Sequence, residues 1–304
     1  MKVLMILAVL IILAAAAVFF EIYREVHHFR ITRYEIKSSR LSGLRRETKI
    51  LFLSDLHNRV YGYGNRDLLQ AVRDEKPDLI LIGGDMLIGK ENTPFDTALD
   101  FVRQLPSVCR VFYVNGNHEG RMKEYSEIYK GAYKKYRCSL KEAGVVFLEN
   151  EICDINLNGQ KLSVCGLELP VCTYRKFHKS DINAGIITEY LGRFPEKDRS
   201  KTDPESKQNS CYTILLAHNP AYMDAYLDWG ADLILSGHLH GGLVRIPGIG
   251  GIVTPQGFFF PKYSGEMTRE GGQTVIVSRG LGSHTLNIRL FNTPELISIT
   301  LAPE

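Results

Sequence analysis

Five short apolar runs, Ile50–Leu53, Leu79–Ile82, Val111–Val114, Tyr212–Ala217 and Leu233–Leu235, each have Asp, Asn or His just beyond their end. The sequels are Ser54-Asp55-Leu56-His57, Gly83-Gly84-Asp85, Asn115-Gly116-Asn117-His118-Glu119, His218-Asn219-Pro220 and Ser236-Gly237-His238-Leu239-His240-Gly241. Runs of this length read as buried strands, and helix-like stretches such as Arg66–Glu75 and Pro94–Gln104 lie between them, which predicts an α/β architecture. In open α/β sheets, ligand sites form beyond the carboxyl ends of strands, so five separated loops are expected to converge on one place.

The residue types at those strand ends suit divalent cations. Imidazole with carboxylate favours Zn, Fe or Mn over Ca, and the absence of thiolates argues against a soft structural site. In Asp55-Leu56-His57 and His238-Leu239-His240 the paired residues are two apart, so an extended backbone would point both to one side. Glycines beside them allow close backbone approach. Taken singly, each Asp or His is better explained as a turn, cap or core residue; the ordered set of five carries the signal.

The rest of the chain frames this core. Asn158-Gly159 between Ile152–Leu157 and Lys161–Gly166 is a hairpin signature. TVIVS near 274–278 and LISITL near 296–301 read as closing strands, and the polar stretch 195–210 as a surface loop. The chain has 304 residues and a formal net charge of +3, which supplies no basic stripe for nucleic acid. Of six cysteines, Cys109, Cys165 and Cys211 lie in or beside apolar runs and are expected to be buried thiols, and no C-x-x-C pair occurs. H-E-x-x-H, P-loop and G-x-S-x-G signatures are absent.

The N-terminus is a separate object. Residues 3–20 carry no charge, enough for a helix to cross a bilayer core of ~30 Å. The Ala14–Ala17 run offers a signal-peptidase site. Val18, Phe19 and Phe20 continue the apolar run with no polar region before it ends, which favours an uncleaved anchor. Arg24, Arg30, Arg33 and Lys37 follow the span, so the positive-inside rule points to a cytoplasmic domain, whereas Glu21, Glu25 and Glu35 among them leave the side of the membrane open. The expected organisation is an anchor over 1–21, a juxtamembrane segment over 22–46 and a catalytic domain over 47–302.

The ordered set D-x-H, G-D, G-N-H-E, H and G-H-x-H, from Asp55 to His240, resembles the calcineurin-like metallophosphoesterases. With the tail (His240-Gly241-Gly242, Pro247–Gly251, Ser278-Arg279-Gly280-Leu281-Gly282) and the N-terminal span, it is similar to the membrane-associated, YkuE/YaeI-like branch of that family and to enzymes that hydrolyse UDP-2,3-diacylglucosamine. The resemblance implies a four-layer α-β-β-α sandwich and two divalent metal ions (Mn, Fe or Zn). It implies Asp55, His57 and His240 on the first metal, Asn117, His218 and His238 on the second, and Asp85 bridging. His118 would act as general acid or phosphoryl stabiliser, not as a ligand. The chemistry implied is in-line attack by a metal-bridging hydroxide on a phosphate ester or anhydride, without a phospho-enzyme.

Other residues carry less. Arg279 suits a substrate phosphate, with a surface salt bridge as the equal alternative. Glu119 reads as a supporting or helix-start acid, and His27, His28, His178 and His284 as solvated or packing residues. Phe258-Phe259-Phe260 is expected either to form an apolar lip beside the metals, suiting a lipid-linked substrate, or to pack on the core. The competing functions are a broad-specificity or nucleotide phosphodiesterase and a non-catalytic metal-binding scaffold at the membrane; the intact ligand set disfavours the scaffold.

Overall fold

The structure, a computed structural model, describes residues 1–193, 211–242, 245–246, 250–283 and 288–304. The expected loop over 195–210 and His284 lie outside the described residues. The chain opens with helix α1 (Lys2–His27), which is exposed over residues 2–20 and long and apolar enough to cross a membrane. Strands β1 (Arg30–Ser38), β2 (Thr48–Leu53), β3 (Leu79–Ile82), β4 (Arg110–Tyr113) and β5 (Val146–Phe147) follow, with helices α2 (Arg66–Glu75), α3 (Asp96–Val102), α4 (Asn117–Glu124) and α5 (Ala132–Glu142) among them. Strands β6 (Glu151–Leu157), β7 (Gln160–Leu167), β8 (Tyr212–Ala217) and β9 (Leu233–Ser236) come next, with helices α6 (Ala184–Leu191) and α7 (Met223–Trp229). A short hairpin, β10 (Arg245–Ile246) and β11 (Gly250–Gly251), precedes β12 (Met267–Glu270), β13 (Gln273–Val277) and β14 (Glu295–Pro303).

Two six-stranded mixed sheets result, ordered β1-β14-β2-β3-β4-β5 and β12-β13-β9-β8-β7-β6. The period-2 alternation of each strand sorts its side chains between two cores. Ile50, Phe52, Leu79, Leu81, Ile214, Leu216, Leu233 and Leu235 pack between the sheets. Leu51, Leu53, Ile80 and Ile82 face outward under α2, α3 and α5, whereas Leu215, Ala217 and Ile234 face α6 and α7. That is the four-layer α-β-β-α sandwich, and it explains why the strands read as unbroken apolar runs: both faces are buried. At the β6–β7 hairpin, Asn158 (φ 52°) and Gly159 (φ 95°) both take the left-handed backbone that a two-residue turn demands.

Residues Arg30–Ser38 form the edge strand β1, paired in parallel with all of β14. Because β14 runs antiparallel to β2, its start at Glu295 lies beside the carboxyl end of β2, and Arg30 lies there too. Only His28 and Phe29 separate α1 from β1. Helix α1 therefore leaves the sandwich at the strand ends that carry the motifs. Of the cysteines, Cys165 is buried as expected; Cys109 and Cys211 are partly exposed, because each sits at the start of its strand rather than inside it.

Candidate metal centre

All five motif loops meet at the carboxyl ends of β2, β3, β4, β8 and β9, and every motif residue there is buried. Ligand-type atoms of Asp55, His57 and His240 lie within 4.8 Å of one another, and so do those of Asp85, His218 and His238. Asp85 stands between the two groups. Its Oδ2 is 3.8 Å from Nε2 of His57, 3.3 Å from Nε2 of His218 and 4.0 Å from Nε2 of His118. His57 Nε2 and His240 Nε2 face each other at 3.1 Å.

The i, i+2 pairs converge by a different route from the expected one. Asp55 (φ 55°), His57 (46°), Asp85 (55°), His238 (67°) and His240 (51°) all have left-handed backbones. An extended segment would carry the chain away from the sheet edge; left-handed residues coil it tightly there. Non-glycine residues adopt this region at a cost, and such strain gathers at functional sites. The backbone pays with specific bonds: Asp55 N to Gly84 O at 2.9 Å, His57 N to Asp85 O at 3.0 Å, and His238 N to the Asp55 carboxylate at 3.0 Å. Gly237 and Gly116 have no alternative, since an added Cβ would lie 2.4 Å from Asp55 Oδ2 and 2.2 Å from Asp85 Oδ1.

Hydrogen bonds assign the ring protons. His218 Nδ1 lies 2.6 Å from Gly83 O and His240 Nδ1 lies 3.1 Å from Gly282 O, so each neutral ring carries its proton there and turns the Nε2 lone pair inward. His118 is the opposite case. Its Nδ1 accepts from the Gly89 amide at 2.8 Å, so its proton sits on Nε2 and points into the site. Two of these rings thus turn a lone pair into the site and the third turns a proton there.

The donor set fits divalent cations. Left alone, the His218 Nε2 lone pair would face the Asp85 carboxylate at 3.3 Å, an arrangement that needs a proton or a cation between them. Without a cation, burial disfavours a charged His218, but the negative charge of Asp85 overrides it and raises the imidazole to about 9. Burial likewise opposes ionisation of Asp85, and the charges of His218, His118 and His57 nevertheless hold its carboxyl well below the usual range. Asp55 is pushed up to about 6, chiefly by burial. Asn117 Oδ1 is buried without a hydrogen-bond donor. A cation would resolve each of these conflicts.

The profile of the calcineurin-like phosphoesterases matches residues 48–242, which include every motif loop. This chain belongs to that family. Among its relatives, the metallophosphoesterase YkuE of Bacillus subtilis is 27% identical over 287 residues, covering 92% of this chain and 87% of that protein. The phosphodiesterase YaeI of Escherichia coli is 28% identical over 262 residues, covering 83% and 82% respectively. As a calcineurin-like phosphoesterase the chain is a metal-dependent hydrolase of phosphoesters, and the clusters described above are its candidate metal ligands.

Around them lie supporting residues, of which Arg289 belongs to no motif. Glu119 is buried and accepts four bonds, from the amides of Asp85 (2.8 Å), Met86 (2.9 Å) and Gly116 (3.1 Å) and from the Tyr113 hydroxyl (2.7 Å). It supports the Asp85 loop, as its supporting-acid reading anticipates, and burial followed by the Asp85 charge raises it to about 7. Arg289 is buried and donates to the carbonyls of Arg279 (2.7 Å) and Gly282, the latter also the partner of His240. Arg279 is half-buried beside Gly241, with Nε bonded to Gly265 O at 3.0 Å, so it is no freely solvated surface cation. His27, His28 and His178 are exposed. Phe259 and Phe260 are exposed while Phe258 is partly covered, so the segment does not pack wholly on the core.

Proposed function

We propose that this chain is a two-metal phosphoesterase acting on a membrane-proximal, lipid-linked phosphoester or diphosphate. Asp55, His57 and His240 would hold one divalent cation and Asn117, His218 and His238 the other, with Asp85 shared between them. The observation that supports this assignment is the position of Asp85 Oδ2, within 3.8 Å of a histidine from each group. A pair of such cations supplies Lewis-acid stabilisation of phosphoryl oxygens and makes water a nucleophile near neutral pH. His118 presents its Nε2 proton to the leaving-group oxygen. Arg279, beside the His240 loop, is the candidate contact for a further phosphate. Manganese, iron and zinc all suit these donors.

The membrane-proximal reading rests on the exit of α1 at the metal-bearing strand ends. Phe177, Phe259, Phe260 and Phe291, all exposed, lie on loops from the same ends. An apolar rim beside an anchor suits substrates whose phosphate is tethered to acyl chains, such as a diphosphate of the UDP-2,3-diacylglucosamine type. The phosphodiesterase activity in the name of the E. coli relative makes a diester the first assay.

The full-length protein in detergent should hydrolyse bis(p-nitrophenyl) phosphate with Mn²⁺ and lose this with EDTA. It should turn over an acylated nucleoside diphosphate with higher kcat/KM than the deacylated compound. Replacing Phe259 and Phe260 by serine should remove that preference and spare the soluble diester. Equal kcat/KM for both diphosphates would end the lipid reading; a metal-loaded protein inert on every phosphoester would end the hydrolytic one.

A further inference from the structure

The last turn of the anchor helix reaches the candidate metal centre. Glu25 is only 1% exposed, which for a carboxylate requires partners. Its Oε2 accepts from the Asn292 amide at 2.9 Å and its Oε1 from the Thr293 hydroxyl at 3.0 Å, with the Arg24 guanidinium 3.8 Å away. The Asn292 side chain in turn donates to the carbonyls of His240 (2.6 Å) and Gly242 (3.0 Å). Gly241 between them has φ 72°, and a Cβ there would lie 2.2 Å from Asn292 Oδ1. The Asn292 carbonyl accepts from Arg289, which also holds the carbonyl that orients the His240 ring.

We infer that Glu25 is a positioning residue for His240, acting through Asn292, so that the anchor helix is a structural part of the metal centre as well as a tether. The inference rests on the proposed role of His240 as a ligand. His240 sits in a left-handed conformation that it would not hold unaided, and the two Asn292 bonds grip the backbone on either side of Gly241. Without the Glu25 carboxylate, the Asn292 amide and Thr293 hydroxyl lose their buried acceptor. The segment that clamps His240 then relaxes. Loss of such an outer partner weakens metal affinity by about 10–100-fold.

Equilibrium dialysis of the full-length protein in detergent against graded Mn²⁺, with bound metal counted by elemental analysis, tests this. Glu25→Ala should shift the half-saturation of one Mn²⁺ equivalent upward by about 10-fold and leave the other near its original value. Asn292→Ala, which keeps the Glu25 bond to the backbone amide, should produce the same shift. Glu25→Gln retains one acceptor oxygen and should fall between, which keeps the test available if the alanine variant folds poorly. A purely structural docking role would lower the metal-free melting temperature of Glu25→Ala while leaving Mn²⁺ half-saturation unchanged, and that result overturns the inference. His240→Ala separates the two readings. If it retains both equivalents, the ligand assignment itself fails; if it loses one while Glu25→Ala binds like the parent, only the positioning role fails.

Discussion

His118 Nδ1 accepts a hydrogen bond from the Gly89 amide at 2.8 Å, and that single contact sets the chemistry available to the ring. The neutral imidazole must carry its proton on Nε2, where it can donate toward a leaving oxygen but has no lone pair for a metal. His118→Asn is therefore expected to keep its metal content and lose about 10²–10⁴-fold in turnover, most on alkyl esters whose leaving groups need a proton. Rates on alkyl and nitrophenyl esters, beside elemental analysis, decide it; a metal-replete variant active on alkyl esters would remove the acid role.

Asp85 is expected to behave differently because it serves both groups of ligands. Asp85→Asn removes a negative charge that faces three imidazoles, so cation binding and activity should disappear together. Retention of both Mn²⁺ equivalents by this variant would show that Asp85 does not bridge.

Metal removal should also be felt by the fold. Bound cations stabilise only the native state, so EDTA is expected to lower the melting temperature and Mn²⁺ to restore it in a concentration-dependent way. Scanning calorimetry at several Mn²⁺ concentrations reads this directly; a melting temperature indifferent to metal would contradict a site whose buried donors converge on a cation.

Glu119→Gln should destabilise without touching any ligand. The amide nitrogen introduced would confront the Asp85 and Gly116 amides, two donors that now share one carboxylate oxygen. Each buried donor left without an acceptor costs roughly 1–3 kcal/mol, so a lowered melting temperature is expected in the metal-free protein as well. Denaturant titration of the two proteins provides the comparison.

Glu149 offers a pH signature. Burial alone would raise its carboxyl above the ordinary value of 4.5, but the Tyr133 hydroxyl, Lys123 and Arg137 outweigh burial and hold it lower. A depressed folded-state pKa means that the stabilisation is fully present above the unfolded value and lost as pH falls through the folded one. The parent protein should thus lose stability more steeply than Glu149→Gln between about pH 5 and 3, measurable as the melting temperature against pH. Parallel curves would show that the carboxylate is not preferentially stabilised in the native state. Asn115, which donates to Glu149 at 3.1 Å, ties this pair to the loop bearing Asn117 and His118.

Much of this protein was determined by its sequence alone. Strands buried on both faces announce themselves as short apolar runs, and residues at their carboxyl ends are adjacent to them in the chain, so the doubly flanked sheets and the converging motif loops follow from local pattern. Tertiary structure decided what depends on contacts between distant segments. Strand β1 has no apolar run to betray it, since most of its side chains are partly exposed, and it becomes a strand by pairing with residues 295–303. The left-handed turns at Asp55, His57, His238 and His240 arise because neighbouring loops supply acceptors and leave no room for an extended chain. Glu25, Arg289 and Asn292 belong to no motif, because what they do is hydrogen-bond to backbone groups, and a backbone carbonyl leaves no mark on the residue type that carries it.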